Sequence, residues 1–362
     1  MKLLIIFNHP APYKVDLFNE LAKNNKVDVI FERNKARNRP KEFYCKNNYL
    51  FNYIKVNGFK LNVGNENCYT PFIKRYIQNN RTKYDLIIMN GYSTFAEMSA
   101  IKFMNKNNIP YVLLINGGII NSKEFFIKRN IKRKYIGSAK YYLSPCEEAS
   151  KYLCYYGANP SKILTYPYSN IHVEEIQIKP ITNKERNYIR DEYFLPRGAL
   201  YICPGQFIRR KNNMALIKLF KDKEEKLLLV GNGPLKKKYL RYIKKKKINN
   251  VFVWDFLPRE KLREIMKSCN GLISLSKHDI YGHTILEAMA CGIPTFASKN
   301  IVSAQEIIKN GVNGYILDKN KTLFEKIKNS SEINRAEIIK TAKKYAIENS
   351  AKVIEKNLRK CK

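Results

Sequence analysis

The stretch "GLISLSKHDIYGHTILEAMACGIPTFAS", residues 271–298, contains one complete strand–helix–strand repeat. Residues 271–276 and 294–298 are apolar runs of strand length, and a helical segment, residues 284–290, lies between them. A short run that is apolar throughout indicates a strand covered on both faces, as in a parallel sheet. Two such strands joined by a helix predict a βαβ unit.

The same alternation continues outward from this stretch along the chain. Further apolar runs of strand length lie at residues 2–7, 27–31, 85–90, 110–116, 141–144, 199–205, 226–233 and 250–255. Helical patterns separate several of these runs, which is typical of doubly wound α/β domains.

A chain of 362 residues is too long for one ordinary core, so two domains are expected. Residues 171–195 are polar and weakly periodic, and we predict a linker there. We therefore predict an α/β protein with two Rossmann-like domains, residues 1–170 and 196–330, and C-terminal helices over residues 331–362 that pack back across the domains. Ligands of open α/β sheets bind beyond the carboxyl ends of the strands, so the active site is expected in a central cleft between the domains.

The composition sets the class of partner. The chain has 67 Lys and Arg against 31 Asp and Glu, a formal net charge of +36, and 44% hydrophobic residues. That hydrophobic content can form cores and excludes a disordered chain. The positive charge predicts an anionic partner: nucleic acid, a phosphorylated substrate or an acidic membrane surface. The alternative is compositional bias, since Lys, Asn and Ile are abundant throughout.

The cysteines and the N-terminus indicate a reduced protein without a membrane span. The eight cysteines are scattered without a CxxC pair, which favours buried thiols in a reducing cytosol over disulfides or zinc. The run at residues 2–7 is followed at once by His9 and Pro10, so it predicts a first strand rather than a signal peptide. No run of eighteen apolar residues occurs, so no spanning helix is expected.

One candidate phosphate loop follows the predicted strand at residues 199–205. It offers Gly205 for a turn and then the cations Arg210 and Lys211. A charge-assisted hydrogen bond from such a cation to a phosphate contributes roughly 1.5–3 kcal/mol. A solvated basic loop is the alternative in so basic a chain.

A second loop carries Gly231 and Gly233 after the next strand. The two glycines allow the backbone to approach a ligand closely, and the following helix presents N–H groups. A tight turn between strand and helix is the simpler explanation when this motif is taken alone.

The third loop lies within the opening stretch. Gly282, His283 and Thr284 precede or begin a helix whose unpaired N–H groups can bind an anion. Glu287 lies about one turn inside that helix, and Asp279 lies in the loop before it. A phosphate at the helix N-terminus with carboxylates on either side that bind hydroxyls fits a nucleotide sugar, whereas Glu287 alone could be an ordinary first-turn acid.

Residues 279–294, "DIYGHTILEAMACGIP", resemble the E-x7-E signature of family-4 retaining glycosyltransferases of bacterial polysaccharide and lipopolysaccharide synthesis, with Asp279 in place of the first Glu. The resemblance extends over residues 9–23, 132–171, 205–212, 227–238 and 302–317. It implies a GT-B fold, in which two Rossmann-like domains face a cleft. It also implies transfer of a sugar from a nucleotide diphosphate to an acceptor hydroxyl with retention, without a metal or other cofactor. No Asp-x-Asp motif follows a strand in a suitable place, in keeping with that expectation.

The resemblance assigns roles to single residues. Glu287 would hold the ribose hydroxyls, Asp279 would contact the donor sugar, and Lys211 would bind the diphosphate. The family often has an arginine where this chain has Gln206, and Arg210 is the candidate that replaces its charge. The further donor-binding residues are Gly205, Gly231, Gly233, Gly282, His283 and Thr284.

The acceptor side departs further from the family pattern. Many members carry a histidine where this chain has Asn116 and Gly117, and residues 10–13 replace a Gly-Gly loop. The acceptor-side candidates are therefore His9, Tyr13, Asn116 and Gly117. A loop histidine without a role is the alternative for His9.

Two other functions are weighed against the transferase. A basic nucleic-acid-binding protein would fit the charge, but no RRM, KH or helix-turn-helix pattern is present, so no nucleic-acid partner is expected. A GT-B relative such as a sugar epimerase or phosphorylase is the second alternative. The carboxylate spacing and the loop at residues 205–212 favour a transferase that acts on a saccharide or lipid-linked acceptor.

Basic runs at residues 32–41, 128–134 and 235–247 bear on the location of the protein. Anionic lipid attracts cations close to its surface by roughly 1 kcal/mol each. We therefore expect a cytoplasmic protein held peripherally at the inner face of the cell membrane, in contact with an anionic membrane surface. A basic cytosolic enzyme with a soluble acceptor is the alternative.

Overall fold

The structure, a computed structural model, divides the chain into two compact units. Unit 1 comprises Met1–Asn170 and Ile347–Lys362, and unit 2 comprises Ile171–Ala346. The residues that the structure describes are 1–36, 44, 48–63, 67–121 and 123–362. Cys45 and residues 37–41 of the first basic run lie outside these ranges.

The elements are numbered in chain order. The strands are β1 (Lys2–Phe7), β2 (Lys26–Phe31), β3 (Asn52–Ile54), β4 (Leu61–Val63), β5 (Asn67–Tyr69), β6 (Leu86–Met89), β7 (Val112–Leu114), β8 (Tyr141–Ser144), β9 (Ile163–Thr165), β10 (Leu200–Pro204), β11 (Lys226–Val230), β12 (Val251–Trp254), β13 (Gly271–Ser274), β14 (Thr295–Ser298) and β15 (Gly314–Leu317). The α-helices are α1 (Pro12–Ala22), α2 (Phe72–Asn80), α3 (Phe95–Lys106), α4 (Phe126–Ile136), α5 (Glu147–Tyr155), α6 (Asn183–Glu192), α7 (Asn213–Phe220), α8 (Lys236–Lys245), α9 (Arg259–Ser268), α10 (Thr284–Ala290), α11 (Val302–Ile307), α12 (Leu323–Asn329), α13 (Arg335–Lys344) and α14 (Ile347–Arg359).

Unit 1 is built on a parallel sheet with the strand order β3-β2-β1-β6-β7-β8-β9. The central strand β1 is buried from Leu3 to Phe7, as expected for a strand covered on both faces. The strand order reverses between β1 and β6, so the carboxyl ends of these two strands are the expected ligand position. A separate antiparallel hairpin, β4–β5, lies outside this sheet.

Unit 2 has a second parallel sheet with the order β12-β11-β10-β13-β14-β15. One buried cluster contains Phe207, Phe220 of α7 and Tyr239 of α8. The other contains Ile265 of α9 and Ala288 of α10. Helices therefore contribute to two separate cores on this sheet, and the order reverses between β10 and β13. The predicted α/β class with parallel sheets is confirmed.

The segment 171–195 differs from the predicted linker, because it belongs to unit 2 and contains α6. The helix begins with a capping box in which the Glu185 N–H donates to Thr182 Oγ1 (3.2 Å) and the Thr182 N–H donates to Glu185 Oε2 (2.6 Å). Arg190 of α6 is buried and donates to the Ser268 carbonyl oxygen (2.8 Å). Since a buried arginine occupies the packed side of α6, the segment lacks the apolar period that marks a core helix.

The C-terminal residues 331–362 form helices, as predicted, and are divided between the two units. Helix α13 belongs to unit 2 and α14 belongs to unit 1, because the helical run breaks at Tyr345 and Ala346. Within unit 1, Asn357 of α14 donates to the Thr165 carbonyl oxygen of β9 (2.8 Å). The second domain is therefore longer than the predicted residues 196–330.

The seven described cysteines have free thiols, and all but Cys154 are buried. Burial raises the pKa of Cys203, Cys269 and Cys291 to about 12, which keeps these thiols protonated at neutral pH. The prediction of small buried thiols is confirmed for this part of the chain. Among the described residues, no helix is long and apolar enough to cross a bilayer.

Candidate functional site

The first predicted phosphate loop leaves β10 through Gly205. Its φ of +143° is a conformation that side chains rarely adopt. The chain then forms a 3-10 turn over Arg209–Lys211, which ends at Asn212 in the left-handed conformation. The Lys277 N–H donates to the Arg210 carbonyl oxygen (2.8 Å), so the first loop is bonded to the loop that follows β13.

Two cations of the first loop converge on Asp279. Lys211 Nζ lies 2.5 Å from Asp279 Oδ2, and Arg210 Nη1 lies 3.2 Å from the same oxygen. The side chains of Lys211 and Asp279 are only 16% and 12% exposed. Burial acts to raise the pKa of Asp279, but the Lys211 ammonium and then the Arg210 guanidinium outweigh it and hold the pKa below its usual value. The structure thus brings together residues that are 68 positions apart in the sequence.

The loop that carries Asp279 is fixed by main-chain hydrogen bonds. The Asp279 N–H donates to the Asn300 carbonyl oxygen (3.1 Å), and the Val302 N–H donates to the Asp279 carbonyl oxygen (3.2 Å). Gly282 has φ +82°, and a Cβ there would lie 2.6 Å from Ile301 Cγ2. The third loop is therefore held against the start of α11, and Gly282 is needed for its packing as well as its backbone conformation.

Glu287 lies in the first turn of α10 and is half-buried. His283 and Thr284 are at the helix start as expected, and the Glu287 N–H already donates to the His283 carbonyl oxygen (3.2 Å). The structure places Glu287 and Asp279 on the same strand–loop–helix segment. Phosphate binding by the backbone at His283 and Thr284 stays a prediction.

The second predicted loop packs against the main chain of the first. A Cβ at Gly231 would lie 2.0 Å from the Gly205 carbonyl oxygen, and one at Gly233 would lie 2.7 Å from the Phe207 carbonyl oxygen. The Phe207 N–H donates to the Asn232 carbonyl oxygen (2.8 Å). Close backbone packing between the two loops therefore explains why glycine is needed at these positions, and contact with the nucleotide stays a prediction.

This packing predicts a large stability difference between two glycine substitutions. Gly231→Ala adds left-handed strain and a clash with main-chain atoms, and we expect it to lower the free energy of unfolding by about 2–5 kcal/mol. Gly311→Ala is the matched control, since Gly311 has φ +78° but only Tyr315 Oη lies near its Cβ position (3.9 Å). The control should lose only about 1–2 kcal/mol. Urea unfolding measures both, and equal losses would contradict the packing explanation.

The acceptor-side candidates lie in unit 1. His9 follows β1 and is buried, with Tyr44 Oη 3.2 Å from its Nδ1. Tyr13 lies in α1 and packs edge-on against another tyrosine ring at 6.3 Å. Asn116 and Gly117 follow β7, and Gly117 has φ +129°. Their roles toward an acceptor stay predictions.

Two further residues at this sheet edge were missed in the sequence. Glu32 follows β2 and Asn90 follows β6, on either side of β1, and both are buried. Glu32 Oε1 accepts a hydrogen bond from Thr94 Oγ1 (2.6 Å), while Glu32 Oε2 and both side-chain polar atoms of Asn90 have no hydrogen-bond partner in the described part of the chain. Burial, and then the neighbouring Glu97, raise the pKa of Glu32. Their position in the sequence could have indicated them, because Glu32 follows the apolar run at residues 27–31 and Asn90 ends the run at residues 85–90.

A buried polar atom without a hydrogen-bond partner costs free energy of folding. Several such atoms along one edge of a sheet therefore indicate where a polar ligand binds. Asn116 Oδ1, after the next strand β7, is a further buried atom of this kind. Lys14 of α1 is fully buried, and its Nζ has no hydrogen-bond partner among the described residues and lies 4.7 Å from the Tyr168 ring centre. Burial lowers the pKa of Lys14. The carboxyl edge of the unit 1 sheet is therefore a second candidate site.

Comparison with known proteins identifies one family match and a related sequence that covers about two thirds of this chain. Residues 186–347 match the family described as glycosyl transferases group 1. The chain is 26% identical, over 238 residues, to an uncharacterized glycosyltransferase of Methanocaldococcus jannaschii. That alignment covers 66% of this chain and 62% of the relative, so the chain spans less than two thirds of the relative's length.

The likeness to solved structures extends over both units. HepE of Anabaena in complex with UDP has a TM-score of 0.76 at 15% identity, over 99% of this chain and 100% of that one. The lipopolysaccharide outer core galactosyltransferase WaaB, in its apo form, has a TM-score of 0.72 at 15% identity, over 99% of both chains. The predicted GT-B fold is confirmed. The resemblance to glycosyltransferases with this fold is supported by the family match of residues 186–347.

Proposed function

We propose that this chain moves a sugar from a nucleotide-diphosphate sugar to a saccharide or lipid-linked acceptor. The chain has the GT-B fold, and its residues 186–347 match the glycosyl transferases group 1 family. The proposed setting is the synthesis of a cell-surface polysaccharide. The observation that carries the proposal is the convergence of Lys211 and Arg210 on the buried Asp279, in loops that follow β10 and β13. Relatives support the donor class, since HepE has been solved with UDP and with UDP-glucose.

The chemistry follows from the charge that the leaving group develops. As the bond between the anomeric carbon and the diphosphate oxygen breaks, negative charge grows on the departing diphosphate. Lys211 and Arg210 are fixed cations that can stabilise this charge in a partly buried site, where such stabilisation is strongest. We propose that they do so without a metal or other cofactor.

Asp279 and Glu287 are proposed to bind hydroxyl groups of the donor. The contacts of Asp279 with Lys211 and Arg210 use Oδ2, and we assign its Oδ1 to a hydroxyl of the donor sugar. Glu287, in the first turn of α10, is assigned to the ribose hydroxyls. Each hydrogen bond to an ionised carboxylate contributes about 1.5–3 kcal/mol.

The acceptor is assigned to the carboxyl edge of the unit 1 sheet. His9, Glu32, Asn90 and Asn116 follow the adjacent strands β1, β2, β6 and β7 and offer both donors and acceptors. Such a set suits a polyhydroxylated sugar. The acceptor hydroxyl attacks the anomeric carbon from the side on which the diphosphate departs, and its proton passes to a departing phosphate oxygen, which gives retention.

A thermal-shift panel tests donor binding. UDP-, GDP-, ADP- and CMP-sugars are added one at a time, and the melting temperature is measured. We expect one diphosphate class to raise it, because a ligand at 100 times its Kd stabilises the folded state by about 2.7 kcal/mol. A protein that responds to none of them would contradict the proposal. Release of nucleotide diphosphate only after acceptor is added would separate transfer from epimerase chemistry.

Peripheral attachment to an anionic membrane is proposed as part of this function. The basic runs at residues 128–134 and 235–247 lie largely on α4 and α8. Cations near an anionic surface contribute roughly 1 kcal/mol each. This attachment would place the chain where a lipid-linked acceptor is found.

A further inference from the structure

The N-terminal end of α4 in unit 1 exposes three large apolar side chains in succession. Phe125, Phe126 and Ile127 are 87%, 71% and 74% exposed. Single exposed apolar residues are common on protein surfaces, but contiguous large ones mark interaction sites. These three residues are called the apolar tip.

The apolar tip is anchored at its base. Glu124, directly before the tip, has a buried side chain. Its carboxylate forms an ion pair with Lys132 Nζ (2.7 Å) and accepts a hydrogen bond from Tyr156 Oη (2.6 Å). Farther along α4, Arg129 lies over the Tyr155 ring (5.3 Å). These contacts hold one side of α4 against unit 1, so the exposure of the tip follows from fixed packing.

An apolar stripe continues from the tip along α4. Ile127, Ile131 and Tyr135 are spaced by four residues and therefore share one side of the helix. Ile131 is also exposed, and Tyr135 lines a groove of about 460 Å³. The other walls of the groove come from the hairpin β4–β5 and from α3, with Leu61, Val63, Tyr69, Phe95 and Met98 among the lining residues.

Exposed cations surround this apolar surface. Lys123, Lys128, Arg133 and Lys134 are all exposed, and Lys102 lines the groove. Over residues 123–136 the acidic residue is Glu124, which pairs closely with Lys132 (2.7 Å) and more distantly with Lys128 (3.9 Å). The surface therefore presents a net positive charge beside apolar side chains.

We propose that the apolar tip, the stripe on α4 and these cations together dock unit 1 on an anionic lipid membrane, with the tip inserted below the headgroups. A bilayer interface offers anionic headgroups directly above hydrocarbon, the same order as cations and apolar side chains here. A nucleic acid would engage the cations but leave the tip in water. The inference deepens the membrane attachment in the proposed function and does not require donor binding.

Vesicle flotation with two matched variants tests the tip. The test variant carries Phe125→Ser, Phe126→Ser and Ile127→Ser. The control carries Ile178→Ser, Tyr188→Ser and Phe194→Ser, which remove three apolar side chains of unit 2 that are 89%, 70% and 94% exposed. With vesicles of phosphatidylserine and phosphatidylcholine at low salt, we expect the test variant to lose about tenfold or more in the bound-to-free ratio and the control to match the parent. Flotation of the test variant equal to the parent would overturn the proposal.

Two matched charge-removal variants test the role of the cations on α4. Lys128→Gln, Arg133→Gln and Lys134→Gln on α4 should weaken flotation with anionic vesicles, since these side chains are placed at the headgroups. Lys184→Gln, Lys309→Gln and Lys319→Gln remove the same charge from exposed positions of unit 2 outside the basic runs and should leave flotation close to that of the parent. Equal losses in both variants would show nonspecific attraction and overturn the assignment to α4.

A fluorescence measurement tests insertion itself. The chain has one tryptophan, Trp254, so Phe126→Trp in a Trp254→Phe background reports on the tip alone. Brominated lipids should quench this tryptophan, because they act within the bilayer. If the protein binds the vesicles but its tryptophan is not quenched, the tip is only adsorbed on the membrane surface, and the proposed insertion is wrong. Nucleotide-sugar binding is measured separately on the parent by thermal shift, so failure of docking and failure of the transferase proposal remain distinguishable.

Discussion

Replacing Lys211 by alanine is expected to lower the kcat of sugar transfer by a factor of about 100 to 1,000. Lys211 Nζ is fixed 2.5 Å from Asp279 Oδ2 in a partly buried site. A fixed cation beside the departing diphosphate gains more from the charge of the transition state than from that of the bound donor. The loss should therefore fall on kcat more than on KM.

The fold should survive this change, because Arg210 Nη1 remains 3.2 Å from Asp279 Oδ2 and the buried carboxylate keeps a partner. Arg209→Ala is the matched control, since Arg209 is an exposed cation of the same turn. Its kcat should stay within about twofold of the parent, as is usual for exposed surface charges. If Lys211→Ala turns over like Arg209→Ala, the loop is only a basic surface.

The second large effect is expected for Glu287→Ala, which should weaken nucleotide binding by a factor on the order of 100 or more. Two hydrogen bonds from ribose hydroxyls to an ionised carboxylate contribute about 1.5–3 kcal/mol each, and 1.4 kcal/mol corresponds to tenfold in Kd. Calorimetric titration with the nucleotide diphosphate selected by the donor panel measures this change. The melting temperature without ligand reports whether the variant is folded.

Glu260→Ala controls for the loss of a first-turn glutamate. Glu260 is exposed and occupies the first turn of α9 in the same unit, so its removal affects the helix dipole in a comparable way. Its Kd should equal that of the parent. A folded Glu287→Ala protein with parental Kd would exclude Glu287 from the donor site.

The strands that could be predicted are short, largely apolar runs, because burial on both faces of a parallel sheet leaves little choice of residue. The sequence did not predict β3, β4, β5, β9 and β15, which are three or four residues long and partly or fully exposed. The run at residues 2–7 became β1 with its bounds unchanged, and the run at 226–233 became β11 with its glycines in the following loop. The predicted donor residues Gly205 and Gly231 directly follow the carboxyl ends of β10 and β11 for the same reason. Parallel sheets fix that edge once the strands are known.

Other features depend on contacts that no local pattern encodes. Arg190 donates to the Ser268 carbonyl oxygen, 78 residues away in the sequence, so its role in packing α6 could not be predicted from the local pattern. The pairing of Lys211 with Asp279 depends on how two loops meet. Glu32 and Asn90 look like ordinary polar residues after a strand, and only the burial of their side chains distinguishes them.

The most direct test of the central claim is a crystal structure of the protein with the nucleotide-diphosphate sugar selected by the thermal-shift panel. We expect the diphosphate within hydrogen-bond distance, about 3 Å, of Lys211 Nζ. The ribose hydroxyls should lie at the Glu287 carboxylate and a hydroxyl of the donor sugar at Asp279. A nucleotide bound away from the loops that follow β10 and β13, with Lys211 and Arg210 still paired only to Asp279, would contradict the account.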